Sequence, residues 1–276
     1  MVVPADSFLA LPPMVQAAGA GVFTWMLTAL GAAAVFARRR PSAVFMDGML
    51  GFAAGVMLGA SIWSLLAPAI RLGGKAQGAG WVPALAGFVA GLLVLRGVDR
   101  VLPHLHAAPA GDYVEGVRTK WHRSTLLVLA IALHHIPEAL ALGVAFGAAS
   151  LERGVAGGAT ASAAVALAIG LGVQNVPEGL AVALPLRRLG MRPLRSFCLG
   201  QLTAAAEPAA AALGAGALLL VGGLLPYALG FAAGAMVYVV VEELLPEAHR
   251  SGHSDIASVG TGLGFTFMTA LAFWLG

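Results

Sequence analysis

Eight apolar segments, each about long enough to cross a lipid bilayer, account for most of this chain. They lie at residues 15–36, 45–70, 81–102, 125–149, 160–186, 197–222, 224–245 and 256–275. A bilayer-spanning helix needs roughly 20 predominantly apolar residues. The composition agrees, since only 11% of the residues are charged, against about 25% in a typical soluble domain. We therefore predict an all-α integral membrane protein with eight transmembrane helices, called spans 1 to 8 below.

The connections between these segments are short, so the 276 residues leave no room for a separate soluble module. We expect one transmembrane domain over residues 1–276, with a cytoplasmic loop at roughly 103–123 between spans 3 and 4. The net charge of +3 does not indicate nucleic-acid binding, because the basic residues lie in short loops and at helix ends. The expected surroundings are the lipid bilayer.

The distribution of Lys and Arg predicts how the chain is oriented. Thirteen of the 16 lie in the loops after spans 1, 3, 5 and 7 or at the adjoining helix ends, and only Arg71, Lys75 and Arg153 lie on the other face. Loops rich in Lys and Arg are cytoplasmic. Because the number of spans is even, both termini are then expected outside.

Two internal repeats run through the chain. GFAAGVM at 51–57 in span 2 recurs as GFAAGAM at 230–236 in span 7, and HHIPE at 134–138 in span 4 recurs as QNVPE at 174–178 in span 5. In the predicted topology the members of each pair run in opposite directions, which is typical of inverted-topology transporters with a site near the bilayer midplane. We expect an inverted-repeat bundle in which spans 1–3 are related to spans 6–8 and span 4 to span 5.

Each copy of the second repeat places a glutamate one helical turn after two side chains that can bind metal. Positions i, i+3 and i+4 share one face of a helix, so each glutamate lies beside both and could bridge two adjacent cations. The proline before each glutamate cannot donate to the carbonyl four residues earlier, and in hydrocarbon that oxygen needs protein, water or an ion as a partner. The side chains are His134, His135 and Glu138 in span 4, and Gln174, Asn175 and Glu178 in span 5.

Three acids, Glu138, Glu178 and Glu207, lie well inside predicted spans, with no buried Lys or Arg expected to pair with them. A charge at the bilayer centre costs at least ~2.5–3.5 kcal/mol. A divalent cation would neutralise two carboxylates at once, and protonation is the rival solution. The mixture of imidazole, carboxylate and amide suits zinc, and also iron(II), manganese or cadmium, better than calcium or copper(I).

The segments HHIPEA and QNVPEG resemble the paired H-N-x-P-E-G and Q-D-x-P-E-G signatures of the ZIP (ZRT/IRT-like) divalent metal transporters, particularly the bacterial GufA-type branch. The resemblance implies a binuclear metal centre between spans 4 and 5. By motif position, one metal would be held by His134, Glu138, Gln174 and Glu178, and a second by His135, Glu138, Asn175, Glu178 and Glu207. This sequence departs from the signatures at three positions, where His135 replaces Asn, Asn175 replaces Asp and Ala139 replaces Gly.

Seven further residues are candidates for the transport pathway, each with a plain alternative. The acid at the start of span 2 is either an exit ligand or a charge favoured by the helix dipole. The loop histidines either gather metal or are simply solvated, and the residues of span 2 either line the outer pathway, as in relatives, or pack. The two acids of span 7 are either solvated charges or part of an exit pathway. The position of the second acid in the family pattern favours the exit role for that residue. They are Asp47, Met57, Ser64, His104, His106, Glu242 and Glu243.

We expect a multi-pass protein of the bacterial cell membrane that moves divalent transition-metal cations, zinc foremost, toward the cytoplasm, with the metal as substrate and no cofactor. A homodimer is plausible from the family resemblance. Two alternatives are an intramembrane metal-dependent hydrolase and a proton- or sodium-coupled transporter without a metal substrate. The first calls for an H-E-x-x-H helix, which the sequence lacks. The second explains the buried acids but not the histidines and amides beside them.

Overall fold

The computed structural model describes residues 8, 10–37, 42–73, 81–101, 104–106, 113–115, 123–151, 160–188, 190–220 and 224–275. Within them, eight helical stretches are long and apolar enough to cross a membrane, which confirms the predicted all-α membrane fold. In chain order, spans 1 to 8 are Pro13–Phe36, Ala43–Leu72, Trp81–Arg100, Ile131–Leu151, Ala161–Arg187, Pro193–Leu220, Leu225–His249 and Ser254–Leu275.

The helices that build these spans are partly interrupted. Span 1 is helix α1 with a final 3-10 turn, spans 2 and 7 each contain a π-helical segment, and span 6 consists of two helices joined by a turn at residues 203–206. The elements are α1 Pro13–Ala32, the 3-10 turn Ala33–Phe36, α2 Ala43–Gly59, the π segment Ala60–Leu66, α3 Ala67–Gly73, α4 Trp81–Val101, α5 Arg123–Leu151, α6 Ala161–Arg188, α7 Pro193–Leu202, α8 Glu207–Leu220, α9 Leu225–Val239, the π segment Val240–Leu244, α10 Leu245–His249 and α11 Ser254–Leu275.

Two short strands occupy part of the loop predicted at 103–123. The strands β1 His104–His106 and β2 Tyr113–Glu115 pair antiparallel, with residue 104 opposite residue 115. This pair is the one departure from helix among the described regular elements, and it lies outside the eight spans.

The π-helical segments of spans 2 and 7 have the same cause. Ala60–Leu66 ends two residues before Pro68, and Val240–Leu244 ends two residues before Pro246. A proline ring crowds the carbonyl four residues earlier and cannot donate to it, and a wider helical turn relieves that conflict. Both spans therefore stay helical while carrying one irregular turn.

Spans 2 and 8 pack through glycines that bring the two backbones together. A Cβ added to Gly51 would lie 2.1 Å from the carbonyl oxygen of Ala257, and one added to Gly264 would lie 2.0 Å from that of Phe52. There is no room for any side chain at these points. This is the close approach of small residues that drives helix association in membranes, where the hydrophobic effect between helices is absent.

Spans 3 and 7 make the same contacts at repeat-related positions. Gly230 is the first glycine of the second GFAAG copy, as Gly51 is of the first, and its Cβ would lie 2.1 Å from the carbonyl oxygen of Ala84. A Cβ added to Gly91 would lie at the same distance from the carbonyl oxygen of Phe231 in span 7. The relation between spans 1–3 and spans 6–8 predicts matching contacts of this kind, and the relation itself stays a prediction. The opposite orientation of the repeats and the outward position of both termini stay predictions.

Spans 1, 4, 5 and 6 form a second group. The Cβ positions of Gly179 and Gly143 would lie 2.1 and 2.0 Å from the carbonyl oxygens of Thr28 and Ala211, which joins span 5 to span 1 and span 4 to span 6. A Cβ added to Gly21 would lie 2.9 Å from the carbonyl group of Glu207, and this close packing joins span 1 to span 6. This group contains most of the buried polar side chains of the described residues.

Replacing Gly264 by alanine should destabilise the protein, because the new methyl group would overlap the span 2 backbone. Overpacking of this kind costs about 1–3 kcal/mol. The measurement is the midpoint of thermal unfolding of the purified protein in detergent. Gly262→Ala, on the same helix but with no atom within 4 Å of its Cβ position, should leave the midpoint unchanged. Equal midpoints for the two variants would contradict this account of the packing.

Candidate metal centre

Six of the seven predicted metal ligands have described side chains, and all six are buried. Their exposed fractions are at most 4%, although no soluble core of ordinary composition would bury so many polar groups together. The seventh, His134, lies in helix α5, but its side chain is outside the described residues. The six are His135 and Glu138 of span 4, Gln174, Asn175 and Glu178 of span 5, and Glu207 of span 6.

Helices α5 and α6 continue through Pro137 and Pro177 without a break. The two motif turns are therefore helical, and the one-face spacing predicted from the sequence holds for both. Each proline still leaves one carbonyl oxygen of its helix without the usual amide partner. The spacing of the residues therefore determines which side chains share one face of each motif helix. The close contacts among spans 1, 4, 5 and 6 bring the motif faces of spans 4 and 5 toward one another.

The imidazole ring of His135 turns the lone pair of its Nε2 atom toward two carboxylates. Its Nδ1 lies 2.8 Å from the carbonyl oxygen of Ile131, and because a carbonyl only accepts, Nδ1 carries the hydrogen. In the neutral ring Nε2 is then an acceptor. Nε2 lies 3.4 Å from Oε1 of Glu207 and 3.5 Å from Oε2 of Glu178, beyond normal hydrogen-bond distance. This arrangement of mutually facing lone pairs calls for a cation between them.

Eight buried side-chain atoms of these residues lack a hydrogen-bond partner within the described part of the chain. Buried polar atoms are nearly always paired, and an unpaired one costs about 1–3 kcal/mol. Gln174 lies close enough to Glu138 to interact with its carboxylate, although neither side chain makes a hydrogen bond of normal geometry to a described residue. The three carboxylates are close enough to repel one another. The eight atoms are both oxygens of Glu138 and of Glu178, both amide atoms of Gln174, Nε2 of His135 and Oδ1 of Asn175.

The neighbours within the cluster are known pair by pair. Glu138 lies beside Gln174, and His135 lies beside Glu178 and Glu207. Glu138 is three positions after His135, so the two residues are about 4.5 Å apart along the helix at 1.5 Å per residue. All three carboxylates are close enough to interact electrostatically.

Glu207 differs from the other two acids because hydrogen bonds hold both of its oxygens. The Nδ2 of Asn175 donates to Oε1 at 2.9 Å and also lies 3.3 Å from the carbonyl oxygen of Thr24. The hydroxyl of Thr24 donates to Oε2. Thr24, which lies in span 1, is not among the ligands predicted from the sequence. A signal was present, since the polar residues Gln16, Thr24 and Thr28 recur at helical spacing in this apolar span, and all three are buried.

Among the described residues, no three His, Cys, Asp or Glu side chains are by themselves arranged to hold a metal ion. Amide oxygens, and His134 with its undescribed side chain, belong to the predicted ligand set as well. The case for a cation therefore depends on the unpaired atoms and on the orientation of the His135 ring, and not on a preformed coordination shell.

Of the three candidate residues in span 2, Asp47 and Met57 are buried in the structure. Asp47 is buried, and its Oδ2 lies 2.8 Å from Nδ1 of His253, just before span 8. Met57 is fully buried in the main apolar core, which favours the packing alternative for this residue. Ser64 is half-buried within the π segment of span 2.

The acids of span 7 are half-buried within its π segment, five or more residues before the end of the span. Glu242 lies 3.9 Å from Arg96 of span 3, and Glu243 lines a cavity of about 690 Å³ between spans 3, 4, 6 and 7. That cavity also reaches Pro137 of the first motif and is otherwise lined mainly by apolar side chains. His104 and His106 form strand β1, and their side chains are outside the described residues.

Comparison with known proteins places this arrangement in a family. A family model described as ZIP zinc transporter matches residues 110–272. Zinc transporter ZIP11 of Homo sapiens is 38% identical, over 92% of this chain and 95% of its own length. Zinc transporter GufA of Myxococcus xanthus is 38% identical over 94% and 100%, and zinc transporter ZIPB of Bordetella bronchiseptica is 39% identical over 93% and 80%.

Zinc should raise the midpoint of thermal unfolding of the purified protein, because a bound cation gives the unpaired atoms of the cluster a partner. A ligand at 100 times its Kd stabilises the folded state by about 2.7 kcal/mol. Glu138→Gln, which removes one charge and keeps the shape, should reduce the shift at each zinc concentration. Asp255→Asn, at an exposed position at the start of span 8, should retain it. Identical zinc titrations for wild type and Glu138→Gln would argue against binding at this cluster.

Proposed function

This chain belongs to the ZIP zinc transporter family, and from that premise we propose that it carries zinc and similar divalent cations across the membrane toward the cytoplasm. Cadmium, iron(II) and manganese are the other candidate substrates. The metal is cargo and no cofactor is proposed. The observation that carries the proposal is the buried cluster in which the lone pair of His135 and three carboxylates face one another.

The spacing of the donors supports a zinc-sized ion. Two ligand atoms about 2.0–2.1 Å from a tetrahedral zinc ion lie about 3.3–3.4 Å from each other. The His135 Nε2 lies 3.4 and 3.5 Å from its two carboxylate neighbours, so an ion fits between these atoms with little movement. The Nδ1–H bond to a backbone carbonyl is the usual second contact of a metal-bound histidine, and it leaves Nε2 free for the metal.

We propose two cation positions in the cluster, as the family resemblance implies. The first would use His134 and Gln174, the second would use His135, Asn175 and Glu207, and Glu138 and Glu178 would be shared. Asn175 supports the second position through its unpaired Oδ1, because its Nδ2 is committed to Glu207 and Thr24. Asn175 is neutral where the signature has an acid, and the imidazole of His135 supplies a nitrogen donor instead.

Charge neutralisation supports exchange of metal for protons during transport. Three ionised carboxylates in one buried cluster carry a charge of −3, and one divalent cation lowers it to −1. Without the metal, protons are the available counter-charge, and metal binding releases them. The sequence contains no ATP-binding signature, so transport is proposed to follow an ion gradient or an exchange.

The proposed direction and location follow from the charge of the loops and from the bacterial relatives. The Lys- and Arg-rich side is taken as cytoplasmic, with both termini outside and release past Glu243 and the loop that contains His104 and His106. The proposed place in a bacterial cell membrane agrees with the relatives in Myxococcus and Bordetella, while other relatives come from vertebrates. A homodimer stays a prediction from the family resemblance. Because the relatives are named transporters and the sequence lacks H-E-x-x-H, we do not propose a hydrolase.

Zinc flux into proteoliposomes should fall more than tenfold in Glu138→Ala and in Glu178→Ala, because each change removes a carboxylate proposed to bind both ions. Even residues that only support metal ligands typically contribute 10–100-fold. The matched control is Asp255→Ala, which removes an exposed acid and should transport at the wild-type rate. Wild-type flux in both glutamate variants would rule out this site.

Apparent zinc affinity should weaken as the pH falls from about 7 to about 5. The proposed ligands bind metal only when deprotonated, and imidazole and carboxylate ordinarily take up protons near pH 6.5 and 4.3. The affinity is therefore highest at the upper end of this range. Zinc titrations of the detergent-solubilised protein, with proton release followed in weak buffer, measure both quantities. An affinity that does not change with pH, with no proton released, would exclude carboxylate and imidazole ligation.

A further inference from the structure

We infer that Thr24 of span 1 is a positioning residue that fixes the donor atoms of Glu207 and Asn175 and so sets the preference of the cluster for a small cation. The inference rests on the proposed function, since it concerns the same cluster. Thr24 is absent from the motif-based ligand set, belongs to a different span and touches two members of that set.

Glycines place Thr24 against the cluster. The Cβ of any larger residue at position 21 would lie 2.8–2.9 Å from the backbone of Glu207 and Pro208, and a Cβ at position 179 would lie 2.1 Å from the carbonyl oxygen of Thr28. Gly21 therefore allows span 1 to pack closely against span 6, and Gly179 allows span 5 to pack closely against span 1. Thr24 lies between these two contacts, one turn from each along span 1, and is buried.

Thr24 contacts the two ligand candidates through different groups. Its hydroxyl donates to Oε2 of Glu207, and its carbonyl oxygen lies 3.3 Å from Nδ2 of Asn175. The hydroxyl also lies 3.0 Å from the carbonyl oxygen of Gly21. It has a single hydrogen, and an ionised carboxylate is the stronger acceptor, so the hydrogen is directed to Glu207.

These contacts leave the inward-facing atoms in fixed positions. With Oε2 bound to Thr24, Oε1 of Glu207 is held 3.4 Å from Nε2 of His135. With Nδ2 of Asn175 engaged by Glu207 and the Thr24 carbonyl, the unpaired Oδ1 is the remaining donor of that amide. By contrast, no hydrogen bond of normal geometry from a described residue holds either oxygen of Glu138 or of Glu178. The cluster thus combines two adaptable carboxylates with one anchored carboxylate.

An anchored donor discriminates between ions by size. Selectivity between cations of the same charge depends on the size and rigidity of the cavity, and a carboxylate that cannot retreat accommodates a larger ion poorly. Removing the Thr24 hydroxyl frees Glu207 to turn away. Binding of zinc should then weaken, whereas cadmium, a larger ion, should lose less because the cavity can expand.

Thr24→Val, which replaces the hydroxyl by a methyl group of similar size, tests the inference. Zinc KM in proteoliposomes should rise about tenfold, the loss typical of a residue that supports a metal ligand, with kcat within about twofold. The zinc-to-cadmium ratio of kcat/KM should fall several-fold. Thr24→Ser should restore both values. Thr261→Val is the matched control, since that hydroxyl bonds only within its own helix in span 8.

Cobalt(II) absorption of the detergent-solubilised variants separates this inference from the proposed function. The visible band of the cobalt complex should shift in Thr24→Val and return in Thr24→Ser. A cobalt spectrum and zinc KM unchanged by Thr24→Val would overturn the role of Thr24, even with full transport by wild type. Cobalt binding that changes in Thr24→Val, in a wild-type protein that moves no metal, would support Thr24 and refute transport. A wild-type protein that binds no cobalt would overturn both.

Discussion

Buried lone pairs that face one another are the constraint on which the rest of this structure depends. His135, Glu178 and Glu207 turn acceptor atoms toward each other, and Glu138 adds two more oxygens without partners. Such a group is tolerated in a membrane interior only if something positive occupies it, whether protons or a metal ion. This is the physical reason for the metal-binding role proposed for the cluster, in which its stability and its function would have the same origin.

Close helix packing makes this concentration of polar atoms possible. In both groups of spans, glycines allow backbones to touch with no side chain between them, as at Gly51, Gly230 and Gly179. The helices around the cluster can then be held by backbone contact and do not need large side chains that would fill the space for an ion. The prolines affect single helices and not the contacts between them, because each removes one backbone hydrogen bond from a helix that remains continuous.

The sequence was sufficient for the features that depend on local spacing. The eight spans follow from the apolar runs, and Glu138 and Glu178 share a face with their neighbours because the helices pass through the prolines unbroken. Contacts between distant spans could not be read in this way. Thr24 is one threonine in an apolar segment, and its partner is in span 6. Asp47 of span 2 pairs with His253, just before span 8. No local sequence motif at either residue predicts this pairing.

The small extent of the cluster along the helices also determines how the membrane potential acts on an ion within it. Glu138 is three positions after His135, and the separation of about 4.5 Å along the helix is about 15% of a hydrocarbon core roughly 30 Å thick. Moving one elementary charge across the whole membrane changes its energy by about 2.3 kcal/mol per 100 mV, so the energy of a divalent cation that moves from one residue to the other changes by only about 0.7 kcal/mol. This is close to thermal energy. Voltage therefore hardly biases where in the cluster an ion lies, and contacts with the ligand atoms decide it.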